Sequence, residues 1–118
     1  MTIRVLDDSQ CPPWFTYPRA YLRLVEQGIV DLTPWYLLDA ERVTRYAAEL
    51  VRRYPGTERL PFARRQDNDD VACFDRSRPG QVVLLHDGAT PGTEQRRVFP
   101  DVWAWFRFAV EQMIEWEP

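Results

Sequence analysis

Leu60-Pro-Phe-Ala-Arg-Arg-Gln-Asp-Asn-Asp-Asp-Val-Ala-Cys-Phe-Asp-Arg-Ser-Arg-Pro-Gly-Gln-Val-Val-Leu-Leu-His-Asp-Gly88 is the stretch whose reading decides the fold. It reads as a three-stranded antiparallel meander, with strands over 60–66, 70–75 and 81–86. Each run is short, rich in β-branched or aromatic residues, and bounded by turn formers. Asp67-Asn68-Asp69 supplies the first turn. Ser77-Arg78-Pro79-Gly80 supplies the second, where proline presets φ and glycine accepts a positive φ. Val82 to Leu85 is apolar at four consecutive positions. Alternate strand residues point to opposite sides, so such a run needs cover on both faces. The third strand is therefore expected at the centre of the sheet, and the first two, which mix charged and apolar positions, nearer an edge. A two-residue turn pairs Phe62 with Cys73; a three-residue turn pairs it with Phe74. One residue of slip exchanges buried and exposed faces.

Working outward, the chain of 118 residues reads as one domain spanning 1–118, long enough to bury roughly two-thirds of its unfolded surface. Aromatic content is 14% and net charge is −3. That balance offers no global attraction to nucleic acid or to a membrane surface. All 15 basic residues are arginine. The two cysteines, Cys11 and Cys73, suit a reducing compartment. With no leader pattern and no apolar run of membrane-spanning length, the expectation is a soluble cytoplasmic protein.

On the N-terminal side, Thr2 to Leu6 alternates like a short edge strand. Cys11-Pro12-Pro13-Trp14 cannot be helical, and Trp14 and Phe15 are expected to anchor this arm on the core. A first helix is expected over 17–27, with Pro18 at its start and Gly28 past its end. A short strand follows over 35–38. Asp39 caps a second helix over 40–54, with Val43, Tyr46, Ala47, Leu50 and Tyr54 on its apolar stripe. On the C-terminal side, Gln95 to Phe99 reads as a fourth meander strand. A third helix begins at Pro100 or Asp101 and runs to about Trp116. Its apolar arc is very wide: Val102, Trp103, Trp105, Phe106, Ala109, Val110, Met113 and Ile114. Phe108 falls in the polar arc. There it is either covered by Trp14 and Phe15 or left as an exposed aromatic for a partner, the residue type enriched at binding hot spots. The fold class is α+β: an antiparallel sheet of about four to six strands with a central meander, flanked by about three helices.

No catalytic constellation emerges, and no cofactor or metal is expected. His86 is the only histidine, and its neighbour Asp87 faces the other way along a strand. Cys11, Cys73 and His86 lack zinc-site spacing. Asp67-Asn68-Asp69-Asp70 fails the EF-hand pattern at its fifth and sixth positions, Val71 and Ala72. The acidic turn is a solvated hairpin tip or an acidic projection that meets a basic protein partner. On the second reading Asp67, Asp69 and Asp70 are the partner-binding residues, with Phe108 as a further candidate. Arg52-Arg53, Arg64-Arg65, Arg76 with Arg78, and Arg96-Arg97 are interleaved with acids, which does not make the net basic face that nucleic acid requires.

Several short pieces, taken in order, resemble the SUKH superfamily of fungal cell-wall-synthesis regulators and bacterial immunity proteins. They are Pro18-Arg19-Ala20-Tyr21-Leu22 followed by Gly28, Pro34-Trp35 with Leu37-Leu38, Leu60-Pro61-Phe62-Ala63, Phe74-Asp75, Val82-Val83, and Trp105 on a late helix. The resemblance covers roughly residues 18–109. The family often places a glycine in the turn after the Pro-Phe-Ala strand, where this chain has Gln66-Asp67-Asn68-Asp69-Asp70. The resemblance implies an α+β domain without catalytic residues that, in bacteria, binds a toxin, often a nuclease, and occludes its active site. Two other readings stand beside it. One is a regulatory or scaffolding interaction module. The other is a small metal-dependent hydrolase built on the acidic turn and His86.

Overall fold

A computed structural model describes residues 2–116. It contains three helices and a six-stranded, wholly antiparallel sheet. In chain order the elements are α1 (Arg19–Glu26), β1 (Asp31–Leu32), β2 (Trp35–Leu37), α2 (Ala40–Arg53), β3 (Arg59–Arg65), β4 (Asp70–Asp75), β5 (Val82–His86), β6 (Gln95–Phe99) and α3 (Val102–Glu115). The α+β class and the meander stand as the sequence predicts.

The strands lie in the order β1-β2-β3-β4-β5-β6. This corrects two expectations. β3 and β4 form the centre of the sheet, and β5 is second from the edge, with β6 outside it. The charges that suggested an edge position are paired: Arg64 and Arg65 lie by Asp69 and Asp67, Asp70 meets His86, and of these only Asp75 is buried. Arg59 and Asp75 are cross-strand partners, joined by a buried ion pair of 3.0 Å. Val82 to Leu85 are buried at every position, and their alternation divides the core. Val82 and Leu84 join one hydrophobic cluster with Val102, Trp105 and Ala109 of α3 and Tyr21 and Leu24 of α1. Val83 and Leu85 join another with Leu50 and Tyr54 of α2.

The β3–β4 register follows the tighter-turn alternative beside the turn and neither alternative beyond it. Ala63 pairs with Ala72 and Arg64 with Val71, which is the register of the tighter turn. Beyond a β-bulge at Phe62 the pairing slips by one, to Pro61 with Cys73 and Leu60 with Phe74. An extra residue lets Phe62 join the face of Phe74, and the two rings stack at 4.6 Å. Pro61 lies next to this bulge and beyond the β2 ladder, which ends at Ala63. A missing N–H is tolerated there in a strand that is otherwise central.

Thr2 to Leu6 is not a strand. Its backbone is tied by isolated bonds: Arg4 N–H donates to the Asp39 carboxylate, Ala40 N–H donates to the Arg4 carbonyl, and Leu6 N–H donates to the Tyr17 hydroxyl. Phe15 anchors the arm against Phe74 at 4.9 Å, with Trp14 at its edge.

Helix ends follow local chemistry. Gly28 has φ 71° just past α1, and Asp39 accepts from Glu41 N–H at the start of α2. Asp101 caps α3 by accepting from Ala104 N–H at 2.8 Å. Asp101→Ala is expected to cost about 1 kcal/mol in urea unfolding, the usual value of an N-cap, and Asp101→Asn or Ser much less. An Asp101→Ala variant as stable as the native chain would show that the cap contributes nothing.

The wide apolar arc of α3 is only partly used. Val102, Trp105 and Ala109 are buried. Trp103, Met113 and Ile114 are exposed, because α1 and the sheet cover one side of the arc alone. The buried side extends instead through Gln112 and through Phe108, the aromatic that the sequence placed on the polar arc. Phe108 is partly buried against Trp35 and Phe99, not against Trp14 and Phe15.

Candidate functional site

The β3–β4 turn projects from the centre of the sheet, and Asp67, Asn68 and Asp69 are exposed. Asn68 shapes it by accepting from Asp70 N–H at 2.8 Å, the Asx contact that makes asparagine a turn residue. The strand register then brings a second loop beside it. Asp70 pairs with His86, and Asp87 N–H donates to the Asp69 carbonyl at 2.9 Å. Asp87 therefore belongs to the same end of the sheet as the turn. Asp75 lies at the other end, with Arg59.

Each carboxylate at this end is held by one basic side chain. Asp67 receives two bonds from Arg65, at 2.7 and 3.0 Å. Asp69 lies 3.7 Å from Arg64, with its own side chain 67% exposed. Asp70 meets the His86 ring at 3.0 Å. Asp87 receives two bonds from Arg53, at 2.8 and 2.5 Å, and Arg53 also lies 3.7 Å from Glu49. The hydrogen bond from Arg65 outweighs the small cost of burial and holds the Asp67 carboxyl below its ordinary range. The tip is thus a set of paired charges and not a bare acidic projection.

Arg64 and Arg65 carry that set onto two faces, since successive strand residues point to opposite sides. The Arg64 guanidinium lies over the Tyr46 ring of α2 at 4.6 Å, and Arg45 lies over the same ring at 5.2 Å. Arg65 donates to Gln112 of α3 at 2.8 Å, and Gln112 accepts from the buried Trp35 indole at 2.6 Å. A polar chain thus runs from the exposed Asp67 through Arg65 and Gln112 to a core tryptophan. On the neighbouring loop the Tyr54 hydroxyl donates to the Ala89 carbonyl and accepts from Gly88 N–H.

The sequence placed Asp67, Asp69 and Asp70 at one hairpin tip; Asp67 and Asp69 lie in the turn and Asp70 is the first residue of β4. It missed their partners Arg53, Arg64, Arg65, Tyr46 and Gln112. The Arg64-Arg65 doublet next to the acids was the available signal. Phe108 is not brought to this site: it packs at the β6 side of α3, with Arg97 5.0 Å above its ring. That placement removes the exposed position on which its role as a binding aromatic was premised.

The groups considered for chemistry are distributed otherwise. His86 meets Asp70, while Asp87 is engaged by Arg53. Cys73 is wholly buried, and burial pushes its thiol up. Burial, then Asp8 and Asp7, also raise the Cys11 thiol. Among the described residues no group of three or more His, Cys, Asp or Glu side chains could hold a metal ion, and no helix is long and apolar enough to cross a membrane. Comparison with protein-family models, with curated proteins and with solved structures gives no match.

Proposed function

We propose that this chain is a non-enzymatic protein-binding domain, of the kind that immunity proteins use to hold and block a toxin. The observation that supports it is the set of paired charges at the hairpin tip. Asp67 and Asp87 are each held by an arginine, Asp69 lies near Arg64 and Asp70 meets the His86 ring, beside a tyrosine overlain by two arginines. Charges already ordered in the free protein lose less conformational freedom on binding. Positioned charges also select the partner and accelerate encounter. Tyrosine and arginine are the side chains that most often anchor protein interfaces. The toxin reading, with a nuclease as target, rests on the resemblance described above. A nuclease active site is basic because it must hold phosphates, and the exposed tip carboxylates would meet it.

The test uses the partner retained when the native chain is purified from its own cells. Replacing Asp67, Asp69 and Asp70 together by Asn leaves Arg64 and Arg65 without counter-charges. Exposed ion pairs contribute little to stability, so the unfolding midpoint is expected to stay nearly unchanged. Association with a basic partner at low salt is expected to slow by about tenfold or more and to lose most of its salt dependence. Equal association rates for the native and triple variant chains at low salt would place the partner surface elsewhere.

A further inference from the structure

The large hydrophobic side chains exposed among the described residues are Val51, at 48%, and three that lie on α3: Trp103 at 37%, Met113 at 39% and Ile114 at 74%. Phe106 and Val110, both partly buried, complete a line along that helix at positions 103, 106, 110, 113 and 114. This is the spacing of a helix–helix seam. The line flanks the buried stripe of Val102, Trp105 and Ala109, with Phe106 and Val110 packed against the core along its inner edge, and lies across the helix from Gln112. An apolar line of this length on a charged domain marks an interaction surface.

The charges beside the line identify the occupant. Arg107 and Glu111 are exposed, one turn apart on the same edge of the line, and neither takes part in an ion pair among the described residues. A two-fold axis crossing the middle of α3 sets two copies antiparallel. It places the same edge of each helix on the same side of the seam. Arg107 of each copy then faces Glu111 of the other, so one geometry forms two ion pairs. Trp103 of each copy meets the partner's Met113 and Ile114, and Phe106 meets the partner's Val110. We propose that this face of α3 is a docking surface for a second copy of the same chain. A helix of 14 residues is about 21 Å long. One such pair buries less than the roughly 800 Å² per partner of a stable interface. The dimer is therefore weak and forms only at high protein concentration.

Sedimentation of the purified chain up to roughly 1 mM tests this. The native chain is expected to shift from monomer to dimer over that range. Ile114→Asp, at the most exposed position of the line, is expected to remain monomeric with an unchanged circular dichroism spectrum and melting temperature. Arg107→Glu sets acids against acids and is expected to weaken association by about tenfold or more. Combining Arg107→Glu with Glu111→Arg is expected to restore it, because both pairs are merely reversed. A native chain that stays monomeric throughout overturns the proposal, as does an Ile114→Asp variant that dimerises like the native chain. Failure of the double reversal to recover association overturns the antiparallel arrangement. Asn substitution at Asp67, Asp69 and Asp70 is expected to leave self-association unaltered, so this result and the partner-binding result stand or fall separately.

Discussion

Arg59→Ala is expected to destabilise the domain by about 3–5 kcal/mol, the cost of breaking a buried ion pair from one side. Arg59 is 7% exposed, and its guanidinium bridges Asp75 and Glu94, each at 3.0 Å. Asp75 and Glu94 are themselves buried. Burial opposes ionisation of Asp75, but hydrogen bonds from Ser77 and Arg59 outweigh it and hold the carboxyl below its ordinary value. Glu94 is likewise held low against burial, by its own backbone N–H, by Arg59 and by Gly92 N–H. Without the arginine, two buried carboxylates face each other uncompensated. The pH dependence has a definite sign. Because both carboxyls titrate lower when folded, their contribution is complete at neutral pH. It is lost as pH falls below the ordinary carboxylate range of about 4. In Arg59→Ala the same groups gain by taking up protons, so the deficit relative to the native chain shrinks on acidification. Urea unfolding at neutral pH and at about pH 4 reads both quantities. Adding Glu94→Gln to Arg59→Ala is expected to recover part of the loss by removing one buried charge. A deficit below about 1 kcal/mol that does not change with pH would show that the triad is exposed or unformed.

Trp105→Ala is expected to be of similar size, about 3–5 kcal/mol, through the cavity it leaves. Trp105 is fully buried, with Phe62 at 4.9 Å and Trp35 at 5.8 Å in edge-to-face contact. It joins α3 to the bulge of β3 and to β2. Its indole N–H is buried without a hydrogen-bond partner. A buried donor left unsatisfied carries a desolvation penalty. Trp105→Phe removes that donor along with part of the ring, so its cost is expected to be far below that of Trp105→Ala. Circular dichroism follows the unfolding without relying on tryptophan emission. Equal costs for the two variants would mean that the ring contacts matter less than the backbone position.

Strand and helix spans were largely legible because they depend on local signals. β4 and β6 span the residues expected from their turns and alternation, and Asp39, Asp101 and Gly28 marked helix ends through backbone chemistry. Position in the sheet was less legible. Asp75 looks like an edge charge until the register sets it opposite Arg59, one residue before the strand expected from Leu60. The bulge at Phe62 was hidden because a one-residue slip leaves no compositional mark. On α3, eight apolar residues outnumber the contacts available, and nothing in the helix itself says which flank the sheet will cover. The exposed flank and the burial of Phe108 both follow from where α1, β2 and β6 sit. At the candidate site the acidic turn was visible, since its residues are consecutive. Its partners were not, because Arg53, His86 and Gln112 reach it from distant segments.

The central claim is that the hairpin tip and the loop beside it form the partner surface. Backbone hydrogen exchange on the purified chain, alone and bound to its native partner, measures it most directly. The account predicts new protection at 66–70 and 86–89 and over the part of α2 that carries Tyr46 and Arg53, with the α3 line at 103–114 unchanged by the partner. Protection that leaves 66–70 and 86–89 exchanging as in the free chain would contradict it.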